Sequence, residues 1–178
     1  TEALKPVPCI PGFEGVGSVK KVGAKVLGLK EGDKVLLPMG TGAMTQQLKI
    51  TASSLTQVPE PYAPDEQLAL ITVNGFTAYF LLRDYLPLKE GDWVIQNAAN
   101  SNVGRYLIAL AKKEGFRTLN IVRRKSLIPE LIELGATEVI LDSEHMNKET
   151  LEKIHSKNIR LGIDAVSYTH LRAHETEA

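Results

Sequence analysis

The chain has 178 residues, 43% of them hydrophobic and 24% charged, and its 21 Lys and Arg balance 21 Asp and Glu. That is enough apolar material for a sizeable core in one or two domains. Zero formal charge argues against a nucleic-acid or anionic-membrane partner, and no apolar run is long enough to span a bilayer.

One cysteine, Cys9, cannot form an internal disulfide, which fits a reducing compartment. No basic–apolar signal opens the chain, which begins at Thr1, so a targeting segment is not observable. Residues 1–62 read as β structure. Gly15–Val19 and Lys34–Pro38 are apolar stretches, Leu29–Asp33 is a polar turn, Gly40–Ala43 is a loop, and the alternating Gln47–Ile50 predicts another strand. Short strands at this spacing suggest part of a small barrel.

After Pro64 the pattern changes. Asp65 is expected to cap a helix carrying Leu68, Ala69 and Ile71, and a second helix is predicted over Thr77–Asp84. A βαβ rhythm then begins. Strands are predicted at Trp93–Gln96, Thr118–Val122, Glu138–Leu141 and Arg160–Val166. Helices are predicted at Val103–Glu114, ended by Gly115; from a Ser126 cap to Leu134, ended by Gly135; and at Lys148–His155. Pro129 falls in a first turn, where its missing amide costs nothing. The expected fold class is α/β: a doubly wound parallel Rossmann sheet, incomplete, over residues 63–166, preceded by a partial barrel. Residues 167–178 break the rhythm. They resemble a translated sequencing adapter and are expected to be a non-native tail.

The stretch Asn97-Ala98-Ala99-Asn100-Ser101-Asn102-Val103-Gly104 joins the first of these strands to its helix. Small and amide side chains allow a sharp turn that aims backbone N–H groups at a helix mouth, where a pyrophosphate is favoured. Of the G-x-G-x-x-G fingerprint only Gly104 stands in register. The next strand ends in Arg123-Arg124-Lys125, where an NAD-binding fold places an acid on the ribose 2′-hydroxyl. Cations there suit a 2′-phosphate, so the expected cofactor is NADPH.

Together these stretches resemble the medium-chain dehydrogenase/reductase superfamily. Cys9–Gly17 is similar to its entry into the GroES-like catalytic barrel, and Leu134–Ile140 to its helix-to-strand junction. Val73–Tyr79, Gln96–Gly104 and Phe116–Arg124 are similar to the zinc-free 2-enoyl thioester reductases, the mitochondrial enoyl-ACP reductases among them. The resemblance covers residues 6–166. It implies that Asn74 and Thr77 sit near the nicotinamide, that Asn100, Ser101, Asn102, Val103 and Gly104 hold the pyrophosphate, and that Arg123, Arg124 and Lys125 take the 2′-phosphate. Asn74 as a helix cap and Thr77 as a back-bonded core residue are the bland alternatives. Glu14 reads as a barrel residue with a structural partner. Gly75 stands where relatives often carry Pro, and Asn102 where they carry Gly or Ala.

The resemblance further implies NADPH-dependent reduction of the C=C bond of a 2-enoyl thioester, carried on coenzyme A or acyl carrier protein. A catalytic zinc needs three protein ligands; the single Cys9 and histidines confined to positions 145, 155, 170 and 174 do not supply them near the barrel, so metal-free chemistry is expected. The family's tyrosine near the enolate belongs, by spacing, upstream of Thr1. None of Tyr62, Tyr79, Tyr85, Tyr106 or Tyr168 matches, so no catalytic residue is assigned. The intact protein is expected to be a homodimer through a Rossmann edge strand beyond this sequence, in the cytoplasm or, in a eukaryote, the mitochondrial matrix. The 178-residue chain by itself is expected to be inactive and marginally stable. A quinone oxidoreductase of the same superfamily and a non-catalytic NADPH-binding protein are the rival readings.

Overall fold

The computed structural model describes residues 8–142 and 148–165, so Val166, Tyr168, His145, His170, His174 and the suspected tail at 167–178 lie outside the described residues. Two compact units divide between Phe76 and Thr77.

In the first unit a three-stranded antiparallel sheet runs β1 (Val16–Ser18), β2 (Lys34–Leu36) and β3 (Thr56–Gln57) in spatial order. The buried Asp33 closes the turn before β2: its Oδ2 accepts from the Lys30 amide at 2.9 Å and from Gln57 Nε2 at 2.8 Å. The strand expected at Gln47–Ile50 does not form. Its side chains alternate, but the segment is mostly exposed and pairs with no described strand, and alternation without a ladder partner leaves the backbone to water.

Helix α1 (Asp65–Leu70) starts one residue earlier than a capping Asp65 requires. Pro64 is the N-cap, Asp65 is the first helical residue, and its carboxylate pairs with Lys34 Nζ at 2.7 Å instead of with helix amides. A π-helical turn, Ile71–Gly75, follows directly.

The second unit opens in α2 (Phe76–Arg83) and holds a four-stranded parallel sheet: β4 (Trp93–Gln96), β5 (Arg117–Val122), β6 (Glu138–Leu141) and β7 (Ile159–Ile163), in spatial order β6-β5-β4-β7. The connecting helices are α3 (Asn102–Glu114), α4 (Ile128–Leu134) and α5 (Lys148–His155). Strands β4, β5 and β6 step one way and β7 returns to the far side of β4. Right-handed crossovers therefore place α3 and α4 on one face and α5 on the other. The βαβ rhythm expected from sequence is observed, with the fourth strand at Ile159–Ile163.

Helix α3 forms because Leu107, Ile108 and Ala111 recur at helical spacing and are fully buried. Leu107 and Ala111 join Val94, Ala78, Leu82, Leu161 and Ile163 in one core cluster, while Ile108 joins Ala99, Val122, Leu131 and Ala136 in another. Gly115, at φ +77°, ends the helix, and the Phe116 amide donates to Ala111 O at 2.8 Å. Ser126 does not cap α4 as expected. It lies inside a 3₁₀ turn, Lys125–Leu127, that leads into the helix, and no side chain caps the entry. Pro129 does fall in the first turn. Among the described residues no helix is long and apolar enough to cross a membrane.

Candidate cofactor-binding site

The carboxyl ends of parallel strands are where open α/β sheets bind ligands, above all where strand order reverses. Here that reversal falls between β4 and β7, and the chain leaving β4 turns at once into α3.

The turn is tightly specified. Ala98 adopts φ +45°, uncommon for a residue with a side chain, and its carbonyl accepts from the Ser101 amide at 2.8 Å. Ser101 is the N-cap of α3: its Oγ accepts from the Gly104 amide at 3.1 Å, and its carbonyl accepts from the Arg105 amide at 2.9 Å. A Cβ at Gly104 would stand 2.7 Å from Ala99 O and 2.8 Å from Ala99 Cα, so only glycine lets the helix sit this close to the loop. The amides of Asn100, Asn102 and Val103 find no acceptor among the described residues. They belong to the positive end of a 13-residue helix, the arrangement that receives a phosphate.

Parallel pairing brings the end of β5 alongside this loop, with the Ala99 amide 3.4 Å from Ile121 O. Arg123, Arg124 and Lys125 follow immediately. All three are exposed, and none enters an ion pair or side-chain hydrogen bond among the described residues. Three unpaired cations in a row repel one another, and an incoming anion relieves that repulsion.

Beneath the loop lies a polar network that sequence reasoning did not find. Gln96, 2% exposed, donates from Nε2 to Gly104 O at 3.1 Å and to Asn120 Oδ1 at 2.8 Å. Asn120, fully buried, donates from Nδ2 to Thr118 Oγ1 and to Glu138 O, both at 2.9 Å. Three strands and the first turn of α3 are thereby tied together. Asn97 does the same across the reversal point: its Nδ2 donates to Asp164 Oδ1, and its Oδ1 accepts from the Ala165 amide at 2.8 Å. Isolated amides in strand patterns were the only available signal.

Arg105 is a second residue the sequence did not reveal. Its Nε donates to Asn100 O at 3.1 Å and its Nη1 to Glu130 Oε1 at 2.6 Å. The hydrogen bond to Arg105 holds the Glu130 carboxyl below its ordinary value, and Glu130 raises the Arg105 guanidinium in return.

The remaining expected residues lie at the division between units, Asn74 in the first and Thr77 in the second. Asn74 Nδ2 donates to Leu70 O at 2.9 Å, four residues back, so one of its two amide N–H groups is taken up locally. Thr77 is exposed on α2. Glu14 has the structural partner expected of it: Oε2 accepts from the Val73 amide, inside the π turn, at 2.8 Å.

Residues 2–60 match the family model described as the alcohol dehydrogenase GroES-like domain. With the parallel sheet and its phosphate-type loop, this gives the class the chain resembles: the medium-chain dehydrogenase/reductase superfamily, whose GroES-like domain and Rossmann architecture it shares. Within that superfamily it is similar to the mitochondrial enoyl-[acyl-carrier-protein] reductase of Dictyostelium discoideum, 38% identical over 165 residues, which cover 88% of this chain and 47% of that one. Among solved structures it resembles the Candida tropicalis 2-enoyl thioester reductase Etr1p in its complex with NADP and crotonyl-CoA, at TM-score 0.75 and 27% identity, covering 88% of this chain and 49% of the other. It also resembles the Escherichia coli quinone oxidoreductase complexed with NADPH, at TM-score 0.76 and 28% identity, covering 94% and 53%. The chain spans about half the length of these relatives.

Proposed function

We propose that the chain is the larger part of the cofactor site of an NADPH-dependent reductase that acts on the C=C bond of 2-enoyl thioesters. The observation that carries the cofactor choice is the Arg123-Arg124-Lys125 tip of β5 beside the α3 mouth, unpaired among the described residues. The donor set suits the phosphorylated dinucleotide: free amides at a helix N-terminus for the pyrophosphate, and cations with no carboxylate partner among the described residues for the 2′-phosphate.

In this reading the amides of Asn100, Asn102 and Val103 bind the pyrophosphate. Ser101 fixes the helix entry, Gly104 allows close approach, and Arg123, Arg124 and Lys125 select the 2′-phosphate over a bare ribose. Asn74 and Thr77 serve the nicotinamide end; beyond its bond to Leu70 O, Asn74 keeps its Oδ1 acceptor and a second amide N–H. When bound, the cofactor supplies a hydride for the β-carbon of the enoyl group. The whole protein must also place a hydrogen-bond donor at the developing enolate oxygen and deliver a proton to the α-carbon.

The enoyl thioester as substrate is supported by sequence identity to the mitochondrial enoyl-ACP reductases and by the crotonyl-CoA complex of Etr1p. Those relatives also support a mitochondrial setting. A homodimer of the whole protein, through a strand added beyond the four described, belongs to the same reading. The quinone alternative is favoured by one observation, the equal structural likeness to the E. coli enzyme. Following NADPH oxidation by the full-length protein with crotonyl-CoA and with a naphthoquinone separates the two. Turnover on the quinone alone would refute the enoyl assignment.

A further inference from the structure

A phosphate-binding loop works only if its carbonyl oxygens face away from the phosphate while its amides face toward it. A carbonyl that swings outward replaces an attraction with a repulsion. In this loop the Ala98 and Ser101 carbonyls accept from backbone amides within the turn. The Asn100 carbonyl, between them, has no backbone donor among the described residues. It is held by a side chain, through Arg105 Nε at 3.1 Å.

Arg105 is itself held. Its Nη1 reaches Glu130 Oε1 at 2.6 Å, and Glu130 lies in the first turn of α4, five residues past Lys125. A planar guanidinium can meet both partners at once because its donors are fixed in a fork, whereas an ammonium is a point charge on a flexible stem. The Glu130–Arg105–Asn100 chain therefore links the helix behind the basic tip to the loop that presents free amides. It also neutralises a carboxylate that would otherwise stand uncompensated near a site for anions.

We infer that Arg105 is a positioning residue for the dinucleotide: it pins the Asn100 carbonyl back so that the neighbouring amides converge on the pyrophosphate, and Glu130 holds it in that pose. This rests on the reading of the loop as a pyrophosphate site. It assigns Arg105 no contact with the cofactor.

The test uses two ligands on the full chain. NADPH needs the loop. 2′-AMP carries the 2′-phosphate and lacks the pyrophosphate, so it reports on the basic tip alone. Titration by calorimetry for NADPH and by ligand-observed NMR for 2′-AMP is expected to show Arg105→Ala weakening NADPH about tenfold, with 2′-AMP changed less than about twofold. Arg105→Lys keeps the charge and loses the fork, and stays weakened. Glu130→Ala weakens NADPH, while Glu130→Gln, whose amide oxygen still accepts from Arg105, returns most of the affinity. Unchanged NADPH binding in Arg105→Ala overturns the inference. So does full rescue by Arg105→Lys, which would make the effect one of charge alone, and so does equal weakening of both ligands, which would mark a general loss of structure. Absence of NADPH binding in the full-length parent protein, in which all these titrations are made, overturns the cofactor reading, and the positioning role with it.

Discussion

Gln96 and Asn120 stand directly opposite each other in the β4–β5 register, and one amide donates to the other at 2.8 Å with both side chains out of water. Each nitrogen also reaches a backbone carbonyl, Gly104 O from Gln96 and Glu138 O from Asn120. Burying two amides is costly unless they are paired, and here they are paired to each other and to the frame that carries the loop. Asn120→Ala removes the side-chain bonds to the Glu138 carbonyl and to the Thr118 hydroxyl, which keeps the Thr137 amide as a partner, and leaves one Gln96 N–H without its acceptor. The expected loss is about 3 kcal/mol, measured by urea unfolding. A loss near zero would mean that water replaces the amide at no cost.

The basic tip is expected to decide between cofactors. Arg123→Ala removes charge-assisted bonds to a 2′-phosphate and is expected to weaken NADPH about tenfold, with NADH affinity little changed. Raising the ionic strength should narrow the same preference in the parent chain, because the three cations are exposed. Calorimetric titration of both cofactors at two salt concentrations reads both effects.

Gly104→Ala tests the close approach of helix and loop. The added methyl meets backbone atoms of Ala99, which cannot rotate away as a side-chain tip can. About 1–3 kcal/mol of stability should be lost along with NADPH affinity, seen together in thermal melts with and without cofactor.

Ser101→Ala removes the one side-chain cap of α3 and is expected to cost about 1 kcal/mol. Ser101→Asp should retain the cap. It should also repel the pyrophosphate, so its stability and NADPH affinity are expected to move apart when melts and titrations are compared.

Glu130 gives a dependence on acid. Arg105 holds its folded-state pKa below the unfolded value, so the pair's contribution is present above the unfolded pKa and is lost as pH falls through the folded one. Both groups are partly in solvent, which keeps the effect small. The melting-temperature difference between the parent and Glu130→Gln should be constant at neutral pH and shrink below about pH 4.5. A difference that does not vary from pH 7 to pH 3 would show that the pair's charge contributes nothing.

Much of the Rossmann unit was legible because its punctuation is local. Gly115 and Gly135 end their helices, Pro129 sits where its missing amide is harmless, and β6 and α5 appear at the residues expected. The errors share a cause. Gln47–Ile50 alternates like a strand, but a strand exists only with a partner, and none of the described residues provides one. Asp65 and Ser126 have capping chemistry, but Asp65 lies one residue past the N-cap of α1 and Ser126 one residue before that of α4, and Asp65 is drawn to Lys34 from a distant strand.

Local order therefore determined the phosphate-type turn, its helix and the three cations that follow the next strand, since each depends on neighbours a few residues apart. Only the tertiary structure decided how the polar side chains are spent. Gln96 meets Asn120 across 24 positions, and Arg105 meets Glu130 across 25. Hydrogen bonds form between groups adjacent in space, and adjacency over such separations arises only once the strands have taken their register and the helices have packed against them.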